Sequence, residues 1–123
     1  MSKRYPIASR EEVEEFLLML RLRLAEDRWS LIDREKNLES ISDLNMLLSD
    51  IPGVLRKLSV EDYTYGPLDD DRGRSMQWWV FGPQVGRNTL YVKVAIHQGR
   101  LLCMSFHRSQ FPLPYPYKEA TQP

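Results

Sequence analysis

The sequence predicts one domain of mixed helix and sheet, with a helix from its first half packed on strands from its second. Two stretches carry that prediction. Arg10 to Glu26 has the spacing of an amphipathic helix, and Leu90 to Arg108 reads as two strands joined by a short turn. A chain of 123 residues is long enough for one hydrophobic core and too short for two, so a single domain over 1–123 is expected.

The elements follow in order. Ser9 and Glu12 have the spacing of a capping box, with Ser9 as the cap. Val13, Phe16, Leu17, Leu20 and Leu24 then recur at helical intervals, acids come first and arginines late, as the helix dipole prefers. That stripe is core, packed on the sheet. Trp29 to Ile32 reads as a short edge strand, and Asp33 to Asn37 as a polar turn. Asn37 or Ser40 is expected to cap a short helix through Leu44. Ser49 is expected to cap another, with Ile51, Val54, Leu55 and Leu58 on its buried side and Pro52 in its first turn. Gly66-Pro67 signals a turn, and Leu68 to Ser75 a polar loop with Asp69, Asp70 and Asp71 at a solvated tip. Met76 to Phe81 is an aromatic strand in which Trp78 and Trp79 face opposite sides. One tryptophan is expected in the core, the other on the polar face or over an edge.

The hairpin is the stretch with chemistry in it. Leu90, Val92, Val94 and Ile96 alternate with Tyr91, Lys93 and Ala95, the pattern of a half-buried strand. His97-Gln98-Gly99-Arg100 supplies the turn. In the second strand, alternation puts Leu102, Met104 and Phe106 on the apolar face. Cys103, Ser105 and His107 then share the face of Tyr91 and Lys93. Beyond it, Pro112, Pro114 and Pro116 preclude helix or a central strand, and an extended, Pro-rich C-terminal tail is expected to strap the core or a sheet edge.

Composition narrows the function. The net charge is zero, but 16 acids stand against 10 bases before Arg72, and seven bases against one acid from there on. Such asymmetry points to an anionic partner, the other reading being attraction between the halves within one fold. A single cysteine suits a reducing compartment, and Cys103 reads as a small strand residue rather than a nucleophile. The apolar run from Phe16 to Leu24 is broken by Arg21 and Arg23, which suits neither a signal peptide nor a membrane span, so a cytoplasmic protein is expected. His97 and His107 lack the partners of a zinc site, and no phosphate-cradling glycine loop is present; neither metal nor cofactor is expected.

Asp62-Tyr63, Gly66-Pro67, an aromatic strand, Leu90-Tyr91-Val92-Lys93-Val94 and Met104-Ser105-Phe106-His107 occur in that order. The layout resembles the MqsR-type toxins of bacterial type II toxin–antitoxin systems, within the RelE-like group of small ribonucleases. The likeness runs from about Ile51 to His107. It implies an α+β fold with N-terminal helices on a curved antiparallel sheet, mRNA interferase activity, and neutralisation by a cognate antitoxin. Tyr91 matches the family's strand tyrosine in its Tyr-x-Lys setting. His107 stands after Ser-Phe, where the best-known members have a catalytic lysine, and Tyr65 stands where the family has another lysine. Gln77 is matched to a family glutamine beside the tryptophan.

Metal-independent RNA cleavage needs a base for the 2′-hydroxyl, a donor for the leaving 5′-oxygen, and cations around the phosphorane. Histidine titrates nearest neutrality of the side chains, which suits His107 to proton transfer. Lys93 would stabilise developing charge, and Tyr91 would position the phosphate or donate a proton. Arg87 and Arg108 are the phosphate-binding candidates. Tyr65, Trp79 or a tail tyrosine would stack on bases, with Gln77 beside them. The catalytic set expected is His107, Tyr91 and Lys93. A non-catalytic RNA- or protein-binding module on the same sheet is the competing reading, and a homo-oligomer is left open.

Overall fold

The first helix begins where its cap predicts. Ser9 Oγ accepts from the Glu12 backbone N–H at 3.1 Å, and Glu12 Oε1 accepts from the Ser9 N–H at 3.0 Å. Two of the N–H groups that a helix start leaves without partners are thereby satisfied. This helix, α1 (Arg10–Ala25), buries Val13, Phe16, Leu17, Leu20 and Leu24. The computed structural model describes residues 4–32 and 34–118. After α1 come β1 (Trp29–Leu31), α2 (Arg34–Asp43), α3 (Ile51–Arg56), β2 (Tyr63–Asp69), β3 (Gln77–Phe81), β4 (Gln84–Val85), β5 (Asn88–His97) and β6 (Arg100–Arg108). Single 3-10 turns precede α3 and β2. The two ends of the expected domain, 1–3 and 119–123, and Asp33 of the expected turn lie outside the described residues.

The fold is α+β. The strands lie in the order β1-β6-β5-β3-β2, with β4 pairing β5 to one side. The β2–β3, β3–β5, β4–β5 and β5–β6 pairs are antiparallel. The expectation of an antiparallel sheet is corrected at one edge, where β1 runs parallel to β6 with Trp29 opposite Leu101 and Leu31 opposite Cys103. A three-residue run carries no signal of direction, and its partner is the last strand of the chain. No helix among the described residues is long and apolar enough to cross a membrane.

Two local expectations are also corrected. α2 starts at Arg34, so Glu35 to Asn37 are helical and neither Asn37 nor Ser40 caps the helix. The Gly66-Pro67 pair makes no turn between elements; it lies inside β2, joined by a cis peptide bond. β2 is the outermost strand on its side of the sheet, where a proline without an N–H is tolerated. Gly66 has φ +122°, and a Cβ there would lie 2.7 Å from the Trp78 carbonyl oxygen, so glycine is required.

One sheet face packs on the helices. Phe81, Leu90, Val92, Val94, Leu101, Cys103 and Phe106 join Leu17, Leu20, Ile51 and Leu55 in the main core. The outer face carries a smaller cluster of Met76, Trp78 and Ala95, ringed by Ile32, Leu68, Leu102 and Met104. Leu102, Met104 and Cys103 therefore lie opposite to the faces alternation predicts. The cause is a bulge in β6. Lys93 faces Ser105 and Val94 faces Cys103, which leaves Met104 as an extra residue and flips the parity of everything before it. Ser105 and His107 come after the bulge and keep the face they were expected to have.

Asn37 holds that bulge. Its Nδ2 donates to the Ile32 carbonyl and, at 3.0 Å, to the Met104 carbonyl; its Oδ1 accepts from the Phe106 N–H at 3.2 Å. β1 stops at Leu31, and the buried amide of α2 continues its hydrogen bonding along the β6 edge. Residues 109–118 contain neither helix nor strand. Leu113 is buried, Tyr115 donates to the Gly82 carbonyl at 2.7 Å, and Tyr117 donates to the Ala8 carbonyl.

Candidate functional site

Tyr91 on β5 and His107 on β6 are directly opposite one another on the outer face. Their rings are 5.3 Å apart and tilted by only 13°. Strand pairing fixes the backbones of both, so the stack is a property of the hairpin. His107 Nδ1 lies 2.9 Å from the Arg108 carbonyl oxygen. A carbonyl only accepts, which assigns the proton of the neutral imidazole to Nδ1 and the lone pair to Nε2. Nε2 has no partner among the described residues.

A second phenol stands behind the first. The hydroxyls of Tyr65 and Tyr91 are 3.5 Å apart, the limit of a hydrogen bond. Tyr65 is buried and stacks on Tyr5 at 4.1 Å between ring centroids. Burial, and then the hydrogen bond with Tyr91, pushes the Tyr65 phenol well above the usual range, so it stays protonated. Phe111, from the segment after β6, stands edge-on to Tyr91 at 6.5 Å and is 58% exposed.

Tyr91, His107 and Phe111 form one wall of an open groove of about 480 Å³, completed by Lys36, Ser40 and Asp43 of α2 with Arg108 and Gln110. Arg108 is anchored across it, donating to the Asp43 carbonyl at 3.2 Å. Arg87, at the turn between β4 and β5, lines an adjoining groove that shares Arg108, Gln110 and Phe111. Among the described residues no three His, Cys, Asp or Glu side chains converge.

The structure thus brings His107, Tyr91, Tyr65 and Arg108 together, with Arg87 alongside. Lys93 shares their face but not their groove. It lies two residues along β5 from Tyr91, about 7 Å by strand geometry. Its ammonium is 5.9 Å from the centre of the Trp78 ring. There it lines a separate cavity with Asp70, Arg72, Arg74 and Met104. Gln77 and Trp79 are not brought to the groove at all. Trp79 is turned to the helix side and stacks on Phe16 at 4.5 Å, while Gln77 bonds Asp69 at 3.4 Å. Trp78 is the tryptophan on the outer face, and it is fully buried.

No known family model matches the sequence, and no curated protein matches it at a significant level. The chemistry of the groove stands on its own residues.

Several of those residues carried no sequence signal. Lys36, Ser40 and Asp43 reach the groove only because α2 packs against β6, a contact between distant parts of the chain. Tyr5, stacked on Tyr65 behind the groove, arrives through the N-terminal segment, whose Pro6 carbonyl accepts from the Gly66 N–H at 2.8 Å. Phe111 was the one within reach of sequence reasoning, an apolar aromatic four residues past His107 in a polar setting. Asp70 is also not a solvated tip. It accepts from Arg74 Nε at 2.8 Å, Trp78 Nε1 at 3.0 Å and two backbone N–H groups. Arg74, and then Trp78, holds its carboxyl well below the usual carboxylate range.

Proposed function

We propose that this chain is a toxin-type endoribonuclease that cleaves mRNA in the cytoplasm and is neutralised by a cognate antitoxin, as its resemblance to the MqsR-type toxins implies. One observation carries the catalytic part of that reading. An imidazole with Nδ1 engaged and Nε2 unpartnered stacks on a phenol, in a groove that also holds Lys36 and Arg108.

In this reading neutral His107 takes the proton of a ribose 2′-hydroxyl at Nε2. The 2′-oxygen attacks the neighbouring phosphorus and the bond to the 5′-oxygen breaks. Tyr91 protonates the leaving oxygen, with the protonated Tyr65 hydroxyl behind it to return a hydrogen bond. Lys36 and Arg108 offset the negative charge that develops on the phosphorane. The products are a 2′,3′-cyclic phosphate and a 5′-hydroxyl. Phe111 offers an exposed ring on which a base stacks.

The test is cleavage of single-stranded RNA by the purified chain, with and without EDTA, and identification of the new ends. His107→Gln should slow cleavage by about 10²–10⁴-fold, the usual contribution of general acid–base catalysis, with circular dichroism unchanged. Full activity in His107→Gln, or cleavage only with added magnesium, would overturn the mechanism. A binding module without catalysis is favoured by one observation, the placement of Lys93 over Trp78 rather than in the groove. RNA binding by the wild type with no cleavage would select it.

A further inference from the structure

The end of the hairpin away from the groove gathers three arginines around its turn. Gln98 (φ 51°) and Gly99 (φ 74°) are both left-handed, as a two-residue hairpin turn needs. The Nη1 atoms of Arg23 and Arg28 each lie 3.7 Å from the point where a Cβ on Gly99 would sit. Two guanidinium groups therefore converge on a space that any side chain at this position would begin to fill. Arg100, the next residue, is held against the same edge by donating to the Trp29 carbonyl at 2.9 Å.

The backbone fixes this corner. The Arg28 N–H donates to the Arg23 carbonyl at 2.8 Å, and the Arg28 carbonyl accepts from the Leu101 N–H at 2.9 Å. The charges are only partly answered. Arg23 Nη2 meets Glu26 Oε1 at 3.1 Å, with the Arg23 side chain 19% exposed. Arg23 Nε is buried with no hydrogen-bond partner. The Arg28 guanidinium has no hydrogen-bond or ion-pair partner among the described residues. Arg28 is exposed and its charge is met by water, but an anion between the two guanidinium groups would be attracted by both, and the buried Arg23 Nε–H without an acceptor is costly.

We infer that this corner is an oxyanion site, built for a phosphate group over Gly99 between Arg23 and Arg28, with Arg100 at its rim. Planar guanidinium forks match phosphate oxygens two at a time, which a lone ammonium does not. The site is separate from the Tyr91–His107 groove, lying six residues along β5 or about 20 Å. It does not depend on the catalytic reading of that groove.

The test is nitrogen-15 NMR of the full chain titrated with inorganic phosphate, against sodium chloride at matched ionic strength. The Gly99 amide and the Arg23 Nε–H should shift saturably with phosphate and not with chloride. Arg28→Ala should weaken that binding about tenfold or more, since a charge-assisted hydrogen bond is lost. Gly99→Asn keeps every charge and tolerates the positive φ, and it should weaken binding by filling the space. A short RNA, added to the His107→Gln protein so that it stays intact, identifies the source. Saturable Gly99 shifts with RNA assign a backbone phosphate; shifts with inorganic phosphate alone assign a free one. Shifts that never saturate with either, or that survive unchanged in Arg28→Ala, would overturn the site.

Discussion

Asn37→Leu is the substitution that tests how the groove is built. It keeps the approximate size of the side chain and removes both of its polar atoms. The Phe106 N–H, which is buried, then loses the Asn37 Oδ1 it donates to at 3.2 Å. An unsatisfied buried donor costs about 1–3 kcal/mol. The part-buried carbonyls of Ile32 and Met104 each lose a donor, at about 0.5–1.5 kcal/mol apiece. The sum is about 2–6 kcal/mol, a large part of the roughly 5–15 kcal/mol typical of a folded domain. Urea denaturation followed by circular dichroism measures it, with the midpoint falling and the slope unchanged. The bulge should also relax, which loosens Ser105 and His107 against β5, so contacts between the Tyr91 and His107 rings should weaken in NMR spectra. Ser40→Ala, on the same helix but bonded only to the Lys36 carbonyl, is the control and should cost no more than about 0.5 kcal/mol. If Asn37→Leu were as mild as the control, the hairpin would hold its bulge without help and the argument would fail.

Asp70→Asn should change how stability depends on pH. The carboxyl titrates lower in the folded state than in the unfolded one, so its stabilisation is complete above the ordinary aspartate range and is lost as pH falls through that range toward the folded value. Acid unfolding curves should therefore be flatter below about pH 4 in Asp70→Asn than in the wild type. Gly66→Ala should destabilise the fold by several kcal/mol, on the order of a strained backbone plus a clash, because its Cβ would meet the Trp78 carbonyl at 2.7 Å; a normal thermal midpoint would contradict the geometry of β2. If single-stranded RNA runs through the groove and on into the adjoining one lined by Arg87, Lys36→Ala and Arg87→Ala should each weaken binding across sequences. Each should also flatten the salt dependence of the binding constant by about 0.7, and an unchanged slope would remove that residue from the interface.

What the sequence made legible was local. The Ser9–Glu12 box and the stripe from Val13 to Leu24 define α1 within a residue, because cap and periodicity lie within one element. Gly99 likewise marks the hairpin turn. Tyr91 and His107 could be placed on one face because both lie on the same side of the bulge, where alternation still holds. Cys103 and Met104 lie across it and came out reversed; nothing in Leu101-Leu102-Cys103-Met104 signals an inserted residue, since every member is apolar. The bulge is held by Asn37, from another part of the chain. Asn37 reads as a cap by local preference, and its tertiary hydrogen bonds override that preference. The α2 wall of the groove, the parallel β1 and the displacement of Lys93 toward Trp78 have the same origin: they are settled by packing between distant segments.

The Ala8 peptide is caught from both sides by two tyrosines. Its N–H donates to Tyr63 at 2.8 Å and its carbonyl accepts from Tyr117, and the two rings stack at 5.9 Å. This makes a latch between the segment that carries Tyr5, stacked on Tyr65, and the segment that carries Phe111, on the groove wall. A protease nick between Phe111 and Tyr117 would free one side of the latch and leave the other holding a single bond. Amide exchange should then quicken at Ala8 and at Gly66 together, far from the cut. The segments that carry Tyr5 and Phe111 would loosen as a unit, so the clasp couples a ring on the groove wall to one stacked behind Tyr65.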